Sequence, residues 1–301
     1  MLDELSPVSP RNKKNIVLNE AKTSPETISK ISKEYIEGGA SIPLPSKGIF
    51  YSWNQQFFKL ETLSVRQLNY TDEDILTTKS YLDDGSVFTE LLKNTILTED
   101  FPATGLVPVD RDTILLWLRS TAFGNEFKVE IKCPVENCGH KNIMTWDLGK
   151  LEIPTFDEEV FRNLEVNLGE YEIITPLKEV RLKLVVPSVG KSREFEKTLA
   201  LKKKNLNSKT DFYGTGSLSL IVASVFNEEK QEWVRSTTEI QNYFNKINLP
   251  LADSRFIRKE LEKINLTYET KQDCTCEACG YIQEGVVMPM LHPNFLWVES
   301  E

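Results

Sequence analysis

The chain has 301 residues, enough for one large or two modest domains with a genuine core. With 40% hydrophobic and 27% charged residues it falls among soluble globular proteins, and no apolar run approaches the roughly 18 residues of a membrane-spanning helix. A net charge of −9 excludes a protein whose whole surface clamps nucleic acid, although it leaves room for a local basic patch.

The opening Met1-Leu-Asp-Glu-Leu5 has neither a basic nor an apolar stretch, so no secretory signal is expected and the cysteines are expected in a reducing cytosol. Up to about residue 40, six acidic and six basic residues cancel and Tyr35 is the only aromatic, a composition too polar to fold alone. One short helix is predicted inside this tail, capped by Ser24, with Ile28, Ile31 and Tyr35 on one face and Gly38-Gly39 ending it. It reads as a nascent helix or as a docking helix for a partner groove.

Order is expected from Ile42. Prolines 43 and 45 force an extended path, which turns at Ser46-Lys47-Gly48. Phe57 to Val65 reads as a strand. Thr71 is placed to cap a helix over 72–82 with acids in its first turn, broken by Asp83-Asp84-Gly85. Ser86 is placed to cap a second helix that turns Val87, Phe88, Leu91 and Leu92 inward. A third runs from Asp110 to Thr121 with Ile114, Leu115 and Leu118 on one face, and Gly124 ends it. Phe127 to Ile131 is a strand. Farther on, Val160–Ile174 and Glu179–Val186 read as strands, and Ser192–Lys204, Thr237–Ile247 and Ser254–Ile264 as helices. Ser217–Phe226 fits helix or strand equally.

The five cysteines cluster. Cys133 and Cys138 bracket four residues and are followed by Gly139-His140; Cys276 and Cys279 bracket Glu-Ala and are followed by Gly280. Two such turns fit a tetrahedral Cys₄ zinc site, in which glycine after the second cysteine supplies the positive φ of the turn. The predicted ligands of one structural zinc are Cys133, Cys138, Cys276 and Cys279. Cys274 is an alternative to Cys276, and His140 or His292 could contribute. The competing readings are unliganded thiols, or a disulfide or redox site. Cys138 and Cys276 lie 138 positions apart, where simple ribbons use about 15–20 residues between pairs. The predicted fold is therefore α+β: a flexible tail (1–41), a compact helical and β region (42–130), the first half of a split zinc ribbon (131–150), a large α+β insertion (151–270) and the second half with the C-terminus (271–301).

Catalytic patterns are lacking. Neither His140 nor His292 has a nucleophile pattern around it. Gly190-Lys191-Ser192 resembles the end of a phosphate-binding loop, but the position five residues before Gly190 is Val185, not glycine. Asp72-Glu73-Asp74 and Asp157-Glu158-Glu159 read as helix starts or solvated turns. From Lys191 to Thr210 there are seven basic residues against Glu194 and Glu196, either a solvated helix end or a contact for an acidic partner or nucleic acid.

The order of Leu44-Pro-Ser-Lys-Gly48, Thr71-Asp-Glu-Asp-Ile-Leu76, Asp84-Gly85 before Leu91-Leu92, Asp112-Thr-Ile-Leu-Leu-Trp-Leu-Arg119 with Phe123-Gly124, the two cysteine turns and an aromatic-proline ending resembles the baseplate hub assembly proteins of T-even-type contractile-tailed phages. The resemblance covers about residues 42–298. It implies a virus-encoded protein without catalytic residues that helps build, or forms part of, the central hub of the tail baseplate. It implies other hub or tail proteins as partners, no membrane, and a location in the host cytoplasm during assembly or in the virion tail. The chief alternative is a zinc-ribbon protein that binds nucleic acid or serves transcription; a phosphate-transfer enzyme using Gly190-Lys191-Ser192 is a third.

Overall fold

The structure, a computed structural model, describes Ile28, residues 39–206 and residues 213–296. The expected tail and its short helix lie outside the described residues except for Ile28 and the last three tail positions. Ile28 is buried, and its N–H donates to the Leu151 carbonyl at 3.4 Å.

Strand β1 (Ala40–Pro43) pairs antiparallel with β2 (Thr62–Val65), Ala40 facing Val65 and Pro43 facing Thr62. The strand expected from Phe57 starts only at Thr62. The residues before it are committed to a wound loop around Gly48, whose carbonyl accepts the N–H groups of Tyr51 and Lys59, each at 3.1 Å. Gly48 has φ +63, and a Cβ there would sit 2.4 Å from the Leu60 nitrogen. Only glycine combines that conformation with so close an approach.

The single helix expected over 72–82 is two, α1 (Asp72–Thr77) and α2 (Lys79–Asp83), because Thr78 is extended at ψ 111°. The hydroxyls of Thr77 and Thr78 turn back to the carbonyls of Glu73 and Asp74 at 2.7 and 2.5 Å, a competition with the helical ladder that weakens a helix end. Neither Thr71 nor Ser86 caps a helix with its side chain; the Thr71 hydroxyl donates to Asn69 Oδ1 instead. Helix α3 (Val87–Thr95) buries Val87, Phe88, Leu91 and Leu92 as expected.

Helix α4 (Pro108–Phe123) begins two residues early because Pro108 suits the first turn. It buries Leu116 and Trp117 as well as Ile114, Leu115 and Leu118, so it is enclosed on more than one side. Its buried polar groups reach outward in the fold. Asp110 binds Ser46 and Tyr51 in the loop before β2, and Thr113 Oγ1 lies 2.7 Å from the Tyr268 hydroxyl.

The strand expected over 160–174 is a helix followed by a strand, α5 (Glu158–Val166) and β5 (Tyr171–Ile174). Asp157 caps α5 by accepting from the N–H groups of Glu159 and Val160, and acids fill the first turn. These terms outweigh the strand preference of Val160 and Val166. Leu168 and Gly169, at φ 53° and 85°, then turn the chain. Strands β5, β6 (Arg181–Leu184), β7 (Val222–Asn227) and β8 (Glu232–Val234) form an antiparallel sheet in that order. Between β6 and β7 lie α6 (Val189–Leu206) and α7 (Tyr213–Ile221). The ambiguous stretch 217–226 is thus half helix and half strand, the change falling between Ile221 and Val222. Helices α8 (Thr237–Lys246) and α9 (Leu251–Ile264) follow. Buried Asp253 of α9 accepts from the N–H groups of Leu177 and Lys178, each at 3.0 Å, tying that helix to the turn after β5. Buried apolar residues from α4, β6 and α9 belong to one cluster.

Candidate metal centre

Two hairpins build the site. The first pairs β3 (Glu126–Lys132) with β4 (Lys141–Asp147) in unbroken register, Lys132 opposite Lys141. Period-two alternation turns Phe127, Met144 and Trp146 inward. The second pairs β9 (Gln272–Thr275) with β10 (Ile282–Val286). They are separate two-stranded sheets rather than one continuous ribbon.

Each hairpin ends in a cysteine turn. The Cys133 N–H donates to the His140 carbonyl and the Cys276 N–H to the Tyr281 carbonyl, both at 2.8 Å, closing the turns at equivalent places. Gly139 and Gly280 take the expected positive φ, 58° and 72°, and Asn137 is left-handed at 70° to absorb the longer first turn.

The Sγ atoms of Cys133, Cys138, Cys276 and Cys279 all lie within 4.8 Å of one another. Cys133 and Cys279 are 3.7 Å apart, and Cys138 and Cys276 are 3.8 Å apart. A tetrahedral metal with metal–sulfur bonds of ~2.3 Å requires sulfur–sulfur edges of ~3.8 Å, whereas a disulfide requires ~2.05 Å. The donor set is therefore sized for a metal ion and not for a bridge, and all five cysteines are free thiols.

Electrostatics point the same way. Burial pushes the Cys276 thiol up, but the backbone N–H groups of Cys279 and Ala278 and the Asn142 side chain outweigh it and bring it down to about 6. At Cys133 the Val135 N–H pulls the thiol down, yet burial and the sulfurs of Cys279, Cys276 and Cys138 push it up to about 12. One thiolate makes the next more costly, and a bound cation would remove that conflict.

The other candidates stand apart. Cys274 is buried within β9 among apolar residues and is not in the four-thiol cluster. His140 contributes its carbonyl to the first turn and exposes its ring. His292 is exposed and accepts from the Asn294 N–H. Gly190-Lys191-Ser192 forms the start of α6, where Gly190 lies against the Thr104 carbonyl rather than around an anion. Asp72 is buried in a double hydrogen bond from Arg66, with Asn94 as a further donor.

Asn142 and Trp146 escaped the sequence reading. Asn142 is buried in β4, and its Oδ1 accepts from the Glu277 N–H at 3.0 Å, so the first hairpin grips the second cysteine turn. Trp146 Nε1 donates to the Thr270 carbonyl at 2.8 Å, holding the approach to β9. Their inward positions were legible from the alternation of β4, but partners more than 120 positions away were not.

A family model described as T4 bacteriophage base plate protein matches residues 50–295. No curated protein and no solved structure matches the chain.

Proposed function

This chain belongs to the T4 bacteriophage base plate protein family, and from that premise we propose that it is a non-enzymatic component or assembly factor of the central hub of the tail baseplate. Its partners are other hub or tail proteins, met in the host cytoplasm during assembly or within the virion tail. The observation that carries this reading is the match over residues 50–295. Zinc is the proposed resident metal, held by Cys133, Cys138, Cys276 and Cys279. Thiolate donors at tetrahedral spacing suit zinc, and four protein ligands leave no open position for catalysis. The ion's role is to pin two hairpins that are remote in sequence, at the neck of the proposed insertion 151–270, adding to folding free energy.

Co-expression with neighbouring tail proteins tests the reading. A stable complex with at least one of them that survives high salt supports it. A protein that instead shifts DNA or RNA in a salt-dependent way, and enters no tail complex, supports the nucleic-acid alternative. The overall charge of −9 weighs against that alternative.

A further inference from the structure

One face of each of three helices walls a groove of about 1840 Å³. Helix α6 contributes Lys191, Phe195, Leu199 and Lys202, successive turns of one side. Helix α9 contributes Leu251, Arg255 and Arg258, and α8 contributes Gln241, Phe244 and Asn245. Leu218 of α7 and Val222 of β7 lie in the floor. The groove is larger than the ~300–1,000 Å³ of ordinary small-molecule sites. Three turns of helix, ~16 Å long and ~10–12 Å across, fill roughly 1,300–1,800 Å³.

Its charge runs against that of the chain. Among the described residues the lining cations are Lys191, Lys202, Arg235, Arg255 and Arg258, and the lining acids are Glu170 and Glu194. That is an excess of three positive charges on a chain of net −9. Arg235 is paired with Glu170, and Arg258 binds Ser254 and the Gly214 carbonyl. Among the described residues, no ion pair engages Lys191, Lys202 or Arg255. An apolar floor beneath Lys191, Lys202 and Arg255 complements a helix with one apolar and one acidic face.

We propose that this groove is a docking site for an acidic amphipathic helix of another tail protein. The inference rests on the baseplate reading and adds to it the surface and the chemistry of the partner. Ile28 is seated beside Leu151 and is not among the groove-lining residues.

The test uses the full chain with its metal, the variant Lys191→Glu/Lys202→Glu/Arg255→Glu, and a control variant Lys128→Glu/Lys150→Glu/Lys246→Glu. The probes are two 18-residue peptides with leucines along one helical face, the other face glutamate in one and lysine in the other. The expected result is binding of the glutamate peptide at least tenfold tighter than the lysine peptide, weakening with salt. The groove variant should lose that preference, with unchanged metal content and Tm, while the control keeps it. Equal binding of both peptides, or equal loss in the control, overturns the proposal. So does a duplex DNA shift that the wild type shows and the groove variant lacks, which would assign the face to nucleic acid. Because the peptides act without any tail protein, a wild type that binds them but joins no tail complex counts against the baseplate-hub reading and leaves the groove standing.

Discussion

Substituting Asp110 by Asn should remove part of the pH dependence of stability. Asp110 sits in the first turn of α4 with no exposed surface. Its carboxylate accepts from the Ser46 N–H at 3.0 Å and from the hydroxyls of Ser46 and Tyr51, each at 2.5 Å. Burial pushes its pKa up from 3.8 to about 6, against the lowering effect of those three donors. The folded chain therefore holds this proton more tightly than the unfolded chain. Between those two values the folded state binds more protons, so stability falls as pH rises through the window. The displacement corresponds to about 3 kcal/mol, fully retained below the lower value and lost above the upper one. An asparagine cannot titrate and keeps an acceptor for the Ser46 N–H. Urea unfolding of both chains from pH ~4 to ~7.5, with zinc equal in each buffer, isolates the term. Any metal lost at low pH would be lost from both chains and cancel in the difference. The variant should gain about 3 kcal/mol relative to wild type across that range. A difference that stays flat, or moves the other way, would refute the burial argument.

Other consequences are as direct. Asn142→Ala removes the acceptor of the Glu277 N–H and should cost about 0.5–1.5 kcal/mol by chemical denaturation; chelator competition should show zinc held about 10–100-fold less tightly. Cys274→Ser should leave metal stoichiometry at the wild-type value, since that thiol lies outside the cluster, and a loss of metal would return Cys274 to the ligand set. Asp253→Ala removes the charged acceptor of two backbone N–H groups and should destabilise by about 1–3 kcal/mol; hydrogen exchange should quicken at Leu177 and Lys178 first. Gly48→Ala forces a Cβ to within 2.4 Å of the Leu60 nitrogen at φ +63. It should lower stability by more than the ~1 kcal/mol typical of point substitutions, and an unchanged Tm would contradict the packing described.

The four-cysteine cluster was legible because its information is local. A cysteine turn needs its two thiols and its glycine within a few residues, and Gly139 and Gly280 adopt the expected conformation. Likewise α3 was readable from its apolar face and α4 from its run of apolar residues. What failed depended on competition between neighbours. Val160 and Val166 prefer strands, yet the Asp157 cap and the acids behind it make α5. Thr78 continues the pattern of α1 but breaks the helix, since its hydroxyl bonds to the Asp74 carbonyl. The third class of feature is long-range: Asp110 with Ser46, Asn142 with Glu277, Trp146 with Thr270. Such pairs are set by how elements pack, and no spacing in one chain announces them. The groove is of this kind, since its cations come from α6, from Arg235 after β8 and from α9, with α7, β7, β8 and α8 lying between the two helices in sequence.

The most direct test of the central claim is the metal content of the purified native protein, beside Cys276→Ser and Cys279→Ser. One zinc per chain is expected in the wild type, lost in both variants with a lower Tm. Carefully purified, folded wild-type protein without metal, or variants that keep a full zinc, would contradict the four-thiol centre.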